Sequence, residues 1–264
     1  MRKLPLFENS LQPVQQIPGL DQDVNCTRCK LHQYTPAGQR CLNAEGEPGG
    51  ILVISDYPGE YERKLNRPMA GPAGRWLREL LERVAPSEKV VFTNALGCKV
   101  PEGFEDFEEA AEACRPYVAK IIDECKPRLV LLMGPYAGLS VLGRTYQPLS
   151  VRKGYAWLPS AGNAVPIFLM PNPASAVRNR LIARAFEEDL KWALSNSQIG
   201  ELVLSSGVEF HEVQTESDCE EVVAALQILK PCLGNLSFLH MLECRRLPRF
   251  PFGCELSGKC QLTE

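Results

Sequence analysis

Two kinds of chemistry-bearing residue stand out in the 264-residue chain. Cys26-Thr27-Arg28-Cys29 puts two thiols on one turn, the C-x2-C spacing with which a metal centre takes two ligands from a single loop. Cys98, just past an apolar run, and Cys114, in the amphipathic stretch after it, are thiols that a compact fold can bring to the first pair. Four thiolates suit zinc or an iron–sulfur cluster, and spacing alone does not choose between them. Composition alone also allows Cys98 and Cys114 to be small buried hydrophobes. Cys125, beside Lys126-Pro127, reads as packing and Cys41 as a spare thiol. The second kind of residue sits at the ends of apolar runs: Asp56, Asn94 and Asn172. Such side chains can stabilise charge and read a hydrogen-bonding edge, or serve simply as turn and cap residues.

A frame must hold those loops. Ile51-Leu52-Val53-Ile54, Val90-Val91-Phe92, Leu129-Val130-Leu131-Leu132-Met133 and Ile167-Phe168-Leu169-Met170 are continuously apolar, which predicts strands of a parallel sheet covered on both faces. Between them Trp76, Leu77, Leu80, Leu81 and Val84 recur at helical spacing. Glu105 to Cys125 predicts a second amphipathic helix, and a last one runs from about Ala176 to Leu194. The expected fold class is α/β, a three-layer α/β/α sandwich with a central parallel sheet. Ligands of such sheets bind outside the carboxyl ends of the strands, so the loops after Ile54, Phe92, Met133 and Met170 are the place to look.

With 29 Lys+Arg against 32 Asp+Glu, a net charge of -3 and 45% hydrophobic residues, the chain can bury one sizeable core and is no general basic coat for nucleic acid. Any nucleic-acid contact has to come from a local patch. No apolar run reaches the roughly 20 residues of a membrane span. The first ten residues lack the apolar stretch of a secretory leader, so a cytoplasmic location without a membrane partner is expected. Eleven cysteines, an odd number, argue against a disulfide framework. Residues 1–22 read as an extended arm, 23–196 as the globular domain and 197–264 as a C-terminal extension.

Asp56-Tyr57-Pro58-Gly59-Glu60-Tyr61-Glu62, followed by Asn66-Arg67-Pro68-Met69-Ala70-Gly71-Pro72-Ala73-Gly74, resembles the G-E-[AG]-P-G-x-x-E-D…G-R-P-F-V-G-x-A-G segments of the iron–sulfur uracil-DNA glycosylases, family 4. Thr93-Asn94-Ala95-Leu96-Gly97-Cys98 is similar to that family's T-N-x-x-K-C segment. Asn172-Pro173-Ala174-Ser175-Ala176-Val177-Arg178-Asn179 is similar to its H-P-S-x-x-x-R-N segment. The segments fall in the family's order over roughly residues 23–195. The resemblance implies a uracil-DNA glycosylase fold and a [4Fe–4S] cluster on Cys26, Cys29, Cys98 and Cys114. It also implies hydrolysis of the N-glycosidic bond of uracil, or of a modified pyrimidine, in DNA.

Breaking that bond builds positive charge on the sugar and negative charge on the departing base. A site therefore needs a carboxylate or a positioned water on one side and hydrogen-bond donors on the other. It also needs a ring to stack on the flipped base and an amide to read its edge. By resemblance, Asp56 stands at the family's acidic position and Asn172 at that of the histidine supporting the leaving group, which makes them the expected catalytic pair. Tyr57, Gly59, Met69, Asn94, Ser175 and Arg178 are the expected substrate-binding residues, with Asn94 reading uracil and Arg178 holding a phosphate. Ala176 and Val177 fall in the segment that would wedge into the duplex.

The chain departs from the family's pattern at four pocket positions. Asp56 is one methylene shorter than the usual Glu, Tyr57 replaces a small residue, Met69 a stacking Phe and Asn172 a His. An Asn-Pro-[Ser/Ala] loop is similar to that of the mismatch-specific uracil glycosylases, which work without the histidine. The implied partner is DNA, uracil-containing or single-stranded. The alternative is a catalytically degenerate glycosylase-fold subunit that binds DNA beside a DNA polymerase or other replication protein.

Past Ser195 the texture changes. Glu201 to Val213 predicts a strand and Glu216 to Leu229 a helix, faintly similar to the lead-in of the 3′–5′ exonuclease domain of family A DNA polymerases, without the Asp-x-Glu pair that would bind its metal. An extra helix on the sandwich is the plainer reading. Cys232, Cys244, Cys254 and Cys260 have irregular spacing and predict no second metal site.

Overall fold

A computed structural model describes residues 17, 20, 22–143, 145, 155–160 and 163–197, with the backbone alone at 155–160 and 163–164. The strand and helix expected beyond Glu201 lie outside the described residues. The chain divides into two units, Met1–Ser160 with Val165–Ser197, and Ala161–Ala164 with Gln198–Glu264, and the first carries every candidate site residue.

The apolar runs form the expected strands. They are β2 (Ile51–Ser55), β3 (Val90–Asn94), β4 (Leu129–Met133) and β6 (Asn163–Met170), to which β1 (Glu45–Gly46) and β5 (Tyr155–Ser160) are added. The described strands make one sheet of order β1-β3-β2-β4-β6-β5. Its centre is parallel, with Ile51 opposite both Val90 and Leu129 and Val130 opposite Ile167. At one edge β1 runs antiparallel to β3, so the sheet is mixed there. Neither edge strand was anticipated: two residues carry no periodicity, and Pro159 in β5 weakens any strand pattern while suiting an edge.

Successive residues of the central strands point to opposite faces, and the two cores divide accordingly. Ile51, Val53, Leu129, Leu131 and Phe168 pack with Leu77, Leu80, Phe186 and Leu190 of α2 (Pro72–Val84) and α6 (Arg180–Ser195). Leu52, Ile54, Val130, Leu132 and Ile167 pack with Val118, Ile121 and Cys125 of α3 (Phe107–Cys125). Both faces are covered, which is the three-layer sandwich. Ile17 and Leu20, in the stretch read as an extended arm, are buried in the second core.

Two short helices, α1 (Glu60–Leu65) and α4 (Pro135–Leu142), had no clear periodicity to announce them. The helix expected as one run from about Ala176 is two, α5 (Pro173–Arg178) and α6. The break is Asn179, whose extended backbone ends α5 while its side chain accepts the Leu181 N–H and caps α6. Pro72, Pro135 and Pro173 each stand in the first turn of their helix, where no N–H is missed.

Candidate active site and thiol corner

At the carboxyl ends of the central strands lies a cleft of about 470 Å³ lined by Asp56, Tyr57, Gly59, Met69, Asn94, Asn172 and Arg178. Of the expected pocket residues only Ser175 stands outside that lining. Its N–H is spent on the Asn172 carbonyl at 2.9 Å.

Asp56 is buried at the end of β2, and its carboxylate is held from two sides. Oδ1 accepts the Tyr136 and Ala137 N–H groups, at 2.8 and 3.0 Å, from the first turn of α4, while Oδ2 accepts Asn172 Nδ2 at 3.1 Å. Burial pushes the carboxyl up to about 6, against the opposing pull of the Ala137 N–H, the Asn172 amide and the Tyr136 N–H. A carboxylate offers about four lone-pair sites, so one direction on Oδ2 stays open to a further donor. Gly134 makes the close approach possible. Its φ is +112°, and a Cβ there would stand 2.0 Å from Asp56 Oδ2.

Asn172 is the N-cap of α5, with Oδ1 accepting the Ala174 N–H at 3.0 Å. Its Nδ2 donates to Ser55 Oγ at 3.3 Å as well as to Asp56. Both amide hydrogens therefore point at the carboxylate end of β2. The expected catalytic pair is one hydrogen-bonded unit.

Asn94 differs. It is 4% exposed, it lines the cleft, and its Oδ1 has no hydrogen-bond partner. A buried acceptor left unpaired costs about 1–3 kcal/mol. Tyr57, which lines the cleft and is 38% exposed, lies 6.1 Å from the Tyr136 ring and 6.5 Å from that of Phe107, both packed against the small core that holds Cys29, Cys98 and Cys114. Phe107 and Tyr136 are themselves stacked at 3.8 Å.

Met69 sits at φ +52°, and an ion group absent from the sequence reading holds it there. Glu45 of β1 accepts Arg67 Nε at 2.7 Å and an Arg78 terminal nitrogen at 2.5 Å. Arg78 also donates to the Met69 and Pro68 carbonyls, at 3.2 and 2.9 Å, and lies 3.9 Å over the Phe92 ring. On the other wall Glu62 accepts the Gly71 N–H at 2.7 Å, tying α1 to the turn that opens α2. No spacing rule links Glu45 to Arg67 and Arg78. No helix is expected after β4 from the sequence, although Gly134-Pro135 is the kind of local signal that could have marked the start of α4.

The wedge expectation needs correction at one residue. Ala176 is buried at 2%, because it faces the core under α5. Val177 is 47% exposed and Leu181, not singled out in the sequence, 80%. Arg178 lies between them in the chain and reaches the cleft.

The cysteines gather beside this cleft. Cys29, Cys98 and Cys114 share one small core with Leu31, Leu96 and Leu139, and Cys26 lies within electrostatic reach of Cys29 and Cys114. The cysteines of the described residues are all free thiols. Burial pushes Cys29 up and Cys114 up to about 12, so their surroundings disfavour the anion until a cation compensates it. Among the described residues no three metal-binding side chains close on a single-ion site. Four free thiols are, by their donor chemistry, suited to the iron–sulfur centre that the resemblance implies. Cys41, read as a spare thiol, belongs to the same corner, while Cys125 packs in the second core as expected.

An α/β sandwich with an acid–amide pair at its strand ends and thiols beside them defines the class. Residues 47–193, more than half of the chain, match the uracil DNA glycosylase superfamily, and the chain belongs to it. It is 27% identical over 179 residues to the type-4 uracil-DNA glycosylase of Sulfurisphaera tokodaii, covering 65% of this chain and 80% of that protein. It is 28% identical to that of Saccharolobus solfataricus, over 68% of this chain and 86% of the other. With the enzyme of the same name from Thermotoga maritima the identity is 29%, over 64% and 88%. No helix among the described residues is long and apolar enough to cross a membrane.

Proposed function

We propose that this chain is an iron–sulfur uracil-DNA glycosylase that flips uracil out of DNA and hydrolyses its N-glycosidic bond. The observation that carries the reading is Asn94 Oδ1, a buried acceptor without a partner on a residue that lines the same cleft as Tyr57 and Met69. Uracil presents an N3–H donor on its pairing edge beside an O4 acceptor, and one amide can engage both. Tyr57 supplies the ring against the flipped base, and Met69 the opposing apolar surface.

Asp56 is the catalytic carboxylate. Above about pH 6 it is ionised, and its open Oδ2 direction takes the attacking water while its charge faces the developing positive sugar. Asn172 is a positioning residue here, since both its amide hydrogens hold Asp56 and Ser55. Val177 and Leu181 fill the gap left in the duplex, and Arg178 between them takes a backbone phosphate. Cys26, Cys29, Cys98 and Cys114 hold the [4Fe–4S] cluster, which when bound fastens the Cys26–Cys29 loop to the end of β3 and to α3. Free thiols suit a reducing cytoplasmic compartment.

The test is base release from single- and double-stranded oligonucleotides containing one uracil, with Asp56→Ala as control. Release by the wild type, falling about 10²–10⁴-fold in the variant, is the expected result. Salt-sensitive DNA binding without release from either substrate would overturn the enzymatic reading.

A further inference from the structure

Met69 lines the cleft from a turn whose shape is set by one face of α2. Its φ of +52° lies in the left-handed region that residues other than glycine seldom adopt. Gly74 and Arg78 stand four residues apart in α2 and so share a face. At Gly74 the helix comes in bare, since a Cβ there would lie 2.3 Å from the Met69 carbonyl carbon and oxygen. At Arg78 the guanidinium reaches the same turn, giving Nε to the Met69 carbonyl at 3.2 Å and a terminal nitrogen to the Pro68 carbonyl at 2.9 Å. Those carbonyls belong to the two peptide groups on either side of the Met69 Cα. One side chain therefore fixes both soft dihedrals of Met69, and with them the direction in which its side chain leaves the backbone.

The guanidinium is itself held. It donates to Glu45 Oε1 at 2.5 Å and lies 3.9 Å over the Phe92 ring, two residues before Asn94 in β3, so it rests on the strand that also carries the unpaired amide. Glu45 is 3% exposed and is gripped from the other side by Arg67, through Nε at 2.7 Å and a terminal nitrogen at 3.0 Å. The two arginines do different work. Arg67 gives both of these bonds to the carboxylate and ties β1 to the chain just ahead of the turn, whereas Arg78 gives one bond to the carboxylate and two to the turn itself. Apolar side chains of the same volume would fill this space without the desolvation cost of buried charge. What they could not do is bond two successive carbonyls from one rigid fork.

We propose that Arg78 is a positioning residue for base recognition: through the Pro68 and Met69 carbonyls it sets where the Met69 side chain stands against the flipped base, while Glu45 and Phe92 keep the guanidinium in place. The proposal rests on the glycosylase reading above, in which the base packs against Met69. Lysine at 78 keeps the charge but gathers its donors on a single nitrogen, whereas the fork meets these acceptors from two. Met69 faces the base in the ground state and the transition state alike. Its displacement therefore falls on KM and on the affinity for free uracil, and leaves kcat and the ionisation of Asp56 as they are.

The experiment uses the full chain, with KM and kcat for an oligonucleotide containing one uracil, the inhibition constant of free uracil, the pH profile of release and thermal melting as readouts. R78K is expected to raise KM and the inhibition constant several-fold, with kcat and the pH midpoint as in the wild type. M69A removes the side chain that Arg78 aims, so R78K added to M69A should change the inhibition constant by no more than about twofold, the scatter of independent sites. V118A, in the second core, is the destabilised control and should leave both constants unchanged. Should R78K not fold, E45Q, which loosens the guanidinium and leaves it in place, is read in the same way and should shift both constants in the same direction. A wild type that neither releases uracil nor is inhibited by it would sink the glycosylase reading itself. With an active wild type, the positioning proposal is overturned if melting falls while KM and the inhibition constant hold, if kcat alone falls, if V118A raises both constants as far, or if R78K keeps its full effect in M69A.

Discussion

The cleft and the thiol corner lie side by side, and each buries ionisable groups, but they meet the cost of desolvation in opposite ways. In the cleft, Asp56 loses water and recovers two main-chain N–H bonds and an amide from its own fold. Its carboxyl rises only to about 6 and is ionised at neutral pH. In the corner, Cys114 receives one main-chain hydrogen bond, from Gly97, against an apolar wall and neighbouring thiols, and it rises to about 12. The difference teaches where help must come from. A carboxylate solvated by the protein is poised to act by itself, whereas thiols gathered in a dry pocket become ligands only when a cation arrives.

The sharpest test of the corner's half of this contrast is to remove one buried thiol from the corner and one from the second core. Cys114→Ser is expected to cost several kcal/mol of stability and the bound iron, because it releases the loop, strand end and helix that the centre joins. Cys125→Ser, equally buried but packed in the second core, is expected to keep its iron and to lose only about 1–3 kcal/mol. Thermal melting followed beside iron content separates the two, and equal losses would end the contrast.

Next in size is the pH response of the cleft. With its carboxyl raised from 3.8 to about 6 in the folded state, Asp56 holds more protons folded than unfolded across that window. Its contribution therefore falls as pH rises from about 4 to about 6, by about 2–3 kcal/mol in all. Asp56→Asn should remove that slope, so the stability difference between wild type and variant, followed by denaturant unfolding from pH 4 to 7, should shrink by this amount as pH rises. Base release should run the other way, climbing with pH through about 6 as the carboxylate ionises. A flat profile there would remove Asp56 from the chemistry.

The smallest effect separates the two amides. Asn94→Ala removes an unpaired acceptor, a relief of about 1–3 kcal/mol that the packing lost with the side chain largely offsets, so stability is expected to change by less than about 1 kcal/mol, while kcat/KM for uracil release falls by about 1–3 kcal/mol. Asn172→Ala removes a helix cap and the bond to Asp56, and should lower both stability, by about 1 kcal/mol or more, and release. Unfolding curves set beside steady-state kinetics decide this, and similar profiles for the two variants would show that neither amide is dedicated to the base.

Much of this frame was legible because its physics is local. Continuous apolar runs mean strands covered on both faces, and the loops at their ends followed from that. The ion group of Glu45, Arg67 and Arg78 was not legible, because its members meet only after β1 has paired backwards on β3 and no chain period links them. Nor was the mutual occupation of Asp56 and Asn172. Residue types announced an acid and an amide near one another, but only geometry shows that the amide's hydrogens are spent on the acid. Cys41 lacked the spacing that marks Cys26 and Cys29, and its place depends on a left-handed backbone that sequence does not print. Ala176 and Val177 are neighbours in the chain, but consecutive helix positions point about 100° apart, so that in α5 the first is buried and the second exposed.

The contact between Gly134 and Asp56 also constrains how such a sequence can drift. A side chain at 134 would run into the acid, a longer acid at 56 would press into the first turn of α4, and a different side chain at 172 would abandon both the acid and the cap of α5. Each replacement made alone passes through a protein worse than either end point. Changes at 56, 134 and 172 are therefore epistatic: a descendant that acquired a longer acid would have to alter its partners in nearly the same step, and these positions should travel through evolution as a linked set.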